Sequence, residues 1–368
     1  MRSQKYRRWH RGTFVLVATV LCALVPAASA SAARIVPVAK GRWVTVRPRG
    51  GLPTAPVRAF LPTPELRVVT RIGAMVDGMP ADPGAGTSSF RLVTWAVEPG
   101  LGSSAALALQ TRVLNQLAGF VDGAGAMSHD WQVHIIVGRT QDFIRQSLDA
   151  VGCQPGLSRS GGVVLMGATV CGRHVVISNL TGFLHLDQAG QPVTTALETM
   201  PEAPVRSTPY EVLLRTSGGL AHEFVHVWRA SAVDGNIRPD EPAWFAEGLP
   251  EFWSGVATVR SGALGGTYAA RHVMRLRNFV DVRRVCAGPL ASYSAGSPSG
   301  CEYHLGLMAV EYLIATRSNL VASAAALAAS GRYDTFGAWF EASYGITVDQ
   351  FQTEFDRYAA AVRAGSGL

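Results

Sequence analysis

The stretch Ala221-His222-Glu223-Phe224-Val225-His226-Val227 contains two histidines four residues apart, with a glutamate directly after the first. Upstream, Thr208-Pro209-Tyr210-Glu211 combines a capping box with a proline at the first helical position, which predicts that a helix begins there and continues through the histidines. Residues four apart stack on one face of a helix, so both imidazoles can reach one metal ion. The H-E-x-x-H pattern therefore predicts a zinc site with His222 and His226 as ligands and Glu223 beside them.

A zinc site that hydrolyses its substrate needs a third protein ligand and one open position. The segment Asp240-Glu-Pro-Ala-Trp-Phe-Ala-Glu247-Gly-Leu-Pro-Glu251 is the obvious source of that ligand, because Asp240 is a suitable cap for a second helix. Asp234, in the loop before this segment, is an alternative ligand that the distance along the chain allows. The spacing alone leaves both open.

H-E-x-x-H followed about twenty residues later by W-x-x-E-G-x-x-E resembles the gluzincin branch of the zinc metallopeptidases, in particular the bacterial aminopeptidase-N-like, peptidase-MA-type domains. The similarity covers the chain from about Phe90 to Tyr358. It implies an α+β, thermolysin-like catalytic domain with a small mixed sheet and a mainly helical second half. It also implies one Zn²⁺ per chain with Glu247 as the third ligand, and a peptide or protein substrate attacked by a zinc-activated water with Glu223 as general base.

The family pattern also points to a group that stabilises the developing oxyanion, and this role falls on Tyr303. Its helical spacing with apolar neighbours fits an ordinary core residue equally well. His304 and Tyr293 are weaker alternatives for the same role.

Pro250 departs from the family pattern, which commonly has a small helix former in its place. A proline there removes the hydrogen bond to the carbonyl of Ala246 and predicts a kink just after Glu247. The kink would affect Glu251 most. We expect Glu251 to support the ligands from behind or to lie on the helix surface, rather than to take part in the reaction directly.

The first thirty residues have the three parts of a secretory signal peptide: a basic start, an apolar run over 13–25 and a small-residue cleavage site that ends at Ala30. The apolar run is shorter than a membrane anchor requires. We therefore expect a secreted or extracytoplasmic protein, and the near absence of lysine suggests a GC-rich bacterial source. Removal of this segment lowers the net charge from +7 to +2, so the global charge gives no support to nucleic-acid binding.

Four cysteines follow the predicted signal peptide: Cys153, Cys171, Cys286 and Cys301. An even number of cysteines in an exported protein predicts two disulfides. Three pairings are possible. We favour the sequence neighbours, Cys153 with Cys171 and Cys286 with Cys301, because each pair closes a short loop of small and turn-forming residues. A cysteine zinc site is the less favoured alternative, because the chain has no C-x-x-C motif.

The composition of the mature chain changes near residue 88. Residues 31–88 are expected to form a basic, proline-rich lead-in with short strands, which either contacts an anionic partner in the cell envelope or is simply solvated. Residues 89–368 are expected to form the gluzincin domain. Its hydrophobic periodicity predicts strands over 91–97, 131–137, 162–166 and 174–177, helices over 104–121 and 140–151, and mainly helices after 208.

These patterns together predict an exported zinc metallopeptidase, with the choice between internal and amino-terminal cleavage left open. A different class of protein is the alternative: a secreted, envelope-associated binding module in which the zinc-binding helix is an inactive scaffold. The chain has no G-x-x-x-x-G-K phosphate loop and no G-x-S-x-G nucleophile elbow, so nucleotide hydrolysis and serine-esterase chemistry lack support.

Overall fold

The computed structural model describes residues 41–46, 57–79, 92–99, 132–138, 140–153, 167–171, 174–180, 185–186, 192–193, 209–232, 240–260, 267–277, 285–294 and 300–366. Its helices are α1 (Thr63–Asp77), α2 (Gln141–Ala150), α3 (Pro209–Ala232), α4 (Ala243–Arg260), α5 (Tyr268–Arg277), α6 (Cys301–Arg317), α7 (Leu320–Ala328), α8 (Phe336–Tyr344) and α9 (Val348–Gly365). Its strands are β1 (Arg42–Val46), β2 (Val57–Leu61), β3 (Leu92–Val97), β4 (Gln132–Gly138), β5 (Gly167–Cys171), β6 (His174–Leu180), β7 (His185–Leu186) and β8 (Pro192–Val193).

Four strands form a mixed sheet in the order β3-β4-β6-β5, in which β3, β4 and β6 run parallel and β5 is antiparallel to β6. The strands predicted over 91–97, 131–137 and 174–177 are confirmed. So is the helix predicted over 140–151, which Thr140 caps by accepting a hydrogen bond from the backbone N–H of Phe143. The strand expected over 162–166 and the helix expected over 104–121 lie outside the described residues.

The helices after residue 208 surround one apolar core, with α4 at its centre. This helix packs against α3 on one side and α6 on the other. Contacting aromatic rings join α4 to α8 and α9: Trp244, Phe245, Phe336, Trp339, Phe340 and Phe351. Burial of each such ring contributes about 1.5–3 kcal/mol. The prediction of an α+β fold with a small mixed sheet and a mainly helical second half is confirmed at this level.

The lead-in contains a core helix as well as strands, which the sequence analysis did not predict. Strands β1 and β2 form an antiparallel hairpin, and α1 follows directly with Pro64 in its first turn. One face of α1 buries Val68, Val69, Ile72 and Val76 in the same core as α4 and α6. The lead-in therefore contains a 15-residue helix in addition to the expected short strands, and this helix shares one core with the helices after residue 208.

A buried group of polar side chains fastens α1 to the helical half. His272 on α5 contacts Glu65 through Nε2 and Glu311 through Nδ1, each at 2.9 Å, and Tyr268 donates a hydrogen bond to Glu311 at 2.8 Å. Burial alone would lower the pKa of His272, but the two carboxylates outweigh it and raise the pKa to about 9. The imidazolium therefore offsets the negative charge of two buried carboxylates.

This group predicts a loss of stability in alkaline solution. The folded-state pKa of His272 lies above its ordinary value of 6.5, so its contribution is complete below pH 6.5 and is lost as the pH rises through about 9. The shift corresponds to about 3 kcal/mol. We expect the difference in free energy of unfolding between the wild type and His272→Gln to decrease by about 3 kcal/mol between pH 6 and pH 10. Denaturant unfolding of both proteins measures it, and a pH-independent difference would contradict a charged His272.

The structure contains the predicted disulfide between Cys286 and Cys301, with a Cα–Cα distance of 5.5 Å. Cys301 is the first residue of α6, so the bond attaches the start of that helix to the segment before it. Cys153 is buried and also disulfide-bonded, and the side chain of its predicted partner Cys171 lies outside the described residues. Among the described helices, none has both the length and the apolar composition needed to cross a membrane.

Candidate metal centre

Helix α3 supplies the two histidines of the H-E-x-x-H pattern. It begins at Pro209, as predicted, and its apolar side chains, among them Leu220, Phe224 and Trp228, are buried. His222 and His226 lie on one face with ring centroids 4.9 Å apart, and their Nε2 atoms are 3.1 Å apart. Each imidazole therefore directs its Nε2 atom to the same point.

Helix α4 brings Glu247 to that point. Its Oε2 atom lies 3.3 Å from Nε2 of His222 and 3.4 Å from Nε2 of His226. All three ligand atoms lie within 4.8 Å of one another, and within the described residues this is the group of histidines, cysteines and carboxylates that could hold a metal ion. The side chains of His226 and Glu247 are 16% and 18% exposed, so the site is partly open to solvent.

The electrostatics of the group favour a positive charge. Burial would lower the pKa of His222, but contacts with Glu247 and Glu251 outweigh it and raise the pKa to about 10. For Glu247, burial would raise the pKa, but contacts with the two histidines lower it below its usual range. A negative cluster that retains a proton on a buried histidine also attracts a cation.

Glu251 lies behind His222, on the side away from the other two groups. Its Oε1 atom is 3.0 Å from Nδ1 of His222, and its side chain is 6% exposed. A carboxylate at the second ring nitrogen fixes the orientation of an imidazole and leaves Nε2 available as a ligand atom. Of the two positions expected for Glu251, the structure shows the one behind the ligands and not the one on the helix surface.

Pro250 neither ends α4 nor removes Glu251 from the site, where the sequence predicted a disturbed position for Glu251. The helix continues through Pro250 to Arg260. Pro250 has no N–H to donate to the carbonyl of Ala246, and the guanidinium of Arg229 on α3 donates to that oxygen instead, at 3.5 Å. Arg229 also pairs with Glu241 before α4 and lies over the ring of Phe245 at 5.8 Å. Arg229 was not identified from the sequence.

Asp240 was expected to cap α4, and the structure gives its carboxylate another partner. Its Oδ2 atom accepts a hydrogen bond from the backbone N–H of Phe336, at the start of α8, at 2.7 Å. The interaction links two segments 96 residues apart in sequence, so no local pattern could reveal it. The alternative ligand Asp234 lies outside the described residues.

Two glycines allow the closest approach between α4 and α6. A Cβ atom on Gly248 would lie 2.2 Å from the backbone of Gly306, and one on Gly306 would lie 2.4 Å from the carbonyl oxygen of Trp244. Gly248 directly follows Glu247, and Gly306 is one turn after Tyr303. The contact therefore brings the helix of the third ligand candidate against the helix of Tyr303.

Tyr303 lies next to the metal centre, with its ring centroid 5.7 Å from that of His222. Burial and the nearby carboxylates of Glu247 and Glu223 raise the pKa of its hydroxyl well above the usual range, and burial has the largest effect. The hydroxyl is protonated at neutral pH, as that of an unperturbed tyrosine also is. Of the two weaker alternatives, His304 is buried, and the hydroxyl of Tyr293 accepts a hydrogen bond from the N–H of Gly288 at 2.8 Å.

The glycine contact predicts a large effect of a single methyl group. Gly306→Ala would place that methyl against the backbone of α4, so the two helices must separate, at a cost of about 1–3 kcal/mol. Gly337→Ala on α8 is the matched control, since no atom lies within 4 Å of its added Cβ. Denaturant unfolding of both variants measures the difference. Equal stability of the two variants would contradict the close packing of α4 on α6.

Comparison of the chain with protein-family models, with curated proteins and with solved structures found no match.

Proposed function

We propose that the chain is a zinc-dependent peptidase of the gluzincin type, with a thermolysin-like catalytic domain. The observation that carries this proposal is the meeting of His222, His226 and Glu247 from two helices, with nitrogen and oxygen atoms 3.1–3.4 Å apart. Two imidazoles and one carboxylate are a ligand set that zinc takes in hydrolytic sites. The partial exposure of His226 and Glu247 leaves one side of the group accessible to a substrate.

The donor set fits zinc in three further respects. The ligand atoms are already gathered within 4.8 Å, so binding requires little rearrangement. Glu251 supports His222 from behind, as carboxylates commonly do for histidines that bind metals. Zinc held by these residues would lower the pKa of a bound water towards 7 and polarise the carbonyl of the substrate.

Glu223 is the proposed general base. It is adjacent to His222 in sequence and is half-buried. Burial lowers the pKa of His222, and the charge of Glu223 adds to the larger contributions of Glu247 and Glu251 that raise it; for Tyr303, Glu223 raises the pKa after burial and Glu247. Its carboxylate therefore lies near the ligands without being one of them. In the reaction it would accept the proton of the attacking water and then deliver that proton to the leaving amine.

Tyr303 is the proposed donor to the oxyanion. A tyrosine hydroxyl is protonated at neutral pH, so that of Tyr303 can donate a hydrogen bond to the oxygen on which negative charge develops. The disulfide at Cys301, two residues earlier, attaches the first turn of the helix that presents this hydroxyl. Such a disulfide also fits the proposed export to an oxidising compartment.

The test combines metal analysis with an unbiased peptide library. The purified mature protein is expected to contain about one zinc per chain, to cleave the library, and to lose and regain cleavage when a chelator removes zinc and the metal is restored. Analysis of the cleaved peptides then shows whether the enzyme acts internally or at the amino terminus. Zinc at one per chain with no cleavage at all would overturn the peptidase proposal and favour a binding module on the same scaffold.

A further inference from the structure

An open groove of about 670 Å³ follows the exposed side of α1, opposite the face that α1 buries in the core. Its lining consists of Gly41 and Arg42 at the start of β1 and, on α1, Thr63, Leu66, Arg67, Thr70, Arg71 and Ala74. None of these residues belongs to the metal centre. Ligand pockets usually measure about 300–1,000 Å³, so the groove can hold a molecule larger than a single ion.

Three exposed arginines line this groove: Arg42, Arg67 and Arg71. Within the part of the chain that the structure describes, none of the three side chains makes an ion pair or a hydrogen bond. Arg67 and Arg71 are one helical turn apart, which places their Cβ atoms about 5–6 Å from each other. Their guanidinium groups can therefore reach the same ligand.

The acidic residues of α1 do not line the groove. Glu65 is the only acidic residue between positions 31 and 71, and it is fully buried against His272 on the opposite face of α1. The next acidic residue, Asp77, stands at the far end of the helix. None of the residues that line the groove is acidic, so the lining itself carries the positive charge of three arginines.

The polar side chains of the groove are rich in hydrogen-bond donors. Each guanidinium carries five N–H donors and no acceptor, and the hydroxyls of Thr63 and Thr70 add two more donors. A phosphate group has more charge and more acceptor oxygens than a carboxylate, so it satisfies such a lining better. Leu66 and Ala74 offer apolar contact to the organic part of a ligand.

We infer that this groove binds a ligand with more than one phosphate group, either a soluble oligophosphate or a surface of anionic phospholipid headgroups. Exposed ion pairs are individually weak, so the three arginines must act together and the binding must weaken as salt is added. The inference is independent of the proposed peptidase activity, because the groove shares no residue with the metal centre.

The first experiment titrates the mature protein with tripolyphosphate by calorimetry at low ionic strength. The double variant Arg67→Gln/Arg71→Gln is expected to bind tripolyphosphate with an affinity about tenfold lower than that of the wild type. The control variant Arg332→Gln/Arg357→Gln removes two exposed arginines outside the groove and is expected to bind like the wild type. Equal weakening in both double variants would overturn the site, and so would binding of citrate as tight as that of tripolyphosphate.

The second experiment distinguishes the two sources of phosphate by sedimentation with vesicles. Phosphatidylcholine vesicles with and without phosphatidylglycerol are mixed with the wild type and with both double variants. Sedimentation that needs phosphatidylglycerol, Arg67 and Arg71 assigns the groove to lipid headgroups, whereas binding of tripolyphosphate alone assigns it to a soluble ligand. Absence of binding in both experiments would overturn the inference. The thermal midpoints of the variants should match that of the wild type, because the replaced side chains are exposed.

Discussion

Replacement of Glu223 by glutamine should lower the turnover of a peptide substrate by about a hundredfold or more, while the protein keeps its zinc. Glutamine has nearly the same shape as glutamate but cannot accept a proton, and general acid–base catalysis typically contributes about 10²–10⁴-fold. The proposed metal ligands are other side chains, so the zinc content should stay close to one per chain. Steady-state kinetics on a cleaved library peptide, with metal analysis of the same sample, measures both quantities.

Glu341→Gln is a suitable control for this experiment. Glu341 is an exposed glutamate on α8, so its replacement changes the charge equally but should leave turnover within about twofold. Undiminished cleavage by Glu223→Gln would remove Glu223 from the mechanism. Loss of zinc from Glu223→Gln would instead mean that Glu223 itself binds the metal.

Replacement of Glu247 or His226 by alanine should weaken zinc binding by about a thousandfold or more and abolish activity with it. Each is one of the three proposed protein ligands, and binding free energies of about 10–16 kcal/mol for zinc sites give each ligand a share of several kcal/mol. Dialysis against a graded series of chelators, followed by metal analysis, measures the affinities.

Glu251→Ala is the matched comparison on the same helix, one turn beyond Glu247. It removes the carboxylate at Nδ1 of His222 but no proposed ligand, so we expect zinc binding to weaken by about tenfold. Loss of the metal from Glu251→Ala with retention by Glu247→Ala would show that the third ligand is wrongly assigned. Full retention by both variants would reject the gluzincin ligand set and make Asp234 the residue to test.

The affinity for zinc should also depend on pH over a wide range. Histidines must lose their proton before they bind a metal, and unperturbed histidine titrates near pH 6.5. Burial would lower the pKa of His222, but the contacts with Glu247 and Glu251 raise it to about 10. The affinity is therefore expected to increase with pH well above 6.5. A plateau from pH 7 upward would show that His222 is neutral in the metal-free protein.

The sequence could predict those parts of the molecule that depend on short-range patterns. A capping box and a four-residue histidine spacing act within one helix, so the start of α3 and the shared face of His222 and His226 follow from the chain alone. The strands of the mixed sheet follow from runs of apolar residues. The position of Glu247 required the similarity to a known family, because its distance from His222 depends on how two helices pack.

The unpredicted features depend on contacts between residues far apart in sequence. His272 and Glu65 are separated by 207 residues, and the contact of Gly306 with α4 is visible only after the helices are packed. One signal for α1 was present in the sequence: a proline in a first turn, followed by apolar residues at Val68, Val69, Ile72 and Val76. The many prolines and arginines around it favoured short strands separated by turns instead.

The buried contact between Glu65 and His272 limits how the protein can be shortened. A recombinant protein that started at residue 89 would lack α1, so it would expose the apolar surface of α5 and α6 that α1 covers. It would also leave the charged His272 with only one of its two carboxylates. Such a protein is expected to aggregate during expression, and a proteolytic cut between α1 and β3 should leave the two fragments associated. Any processing that released the segment containing α1 is therefore expected to destabilise the rest of the protein.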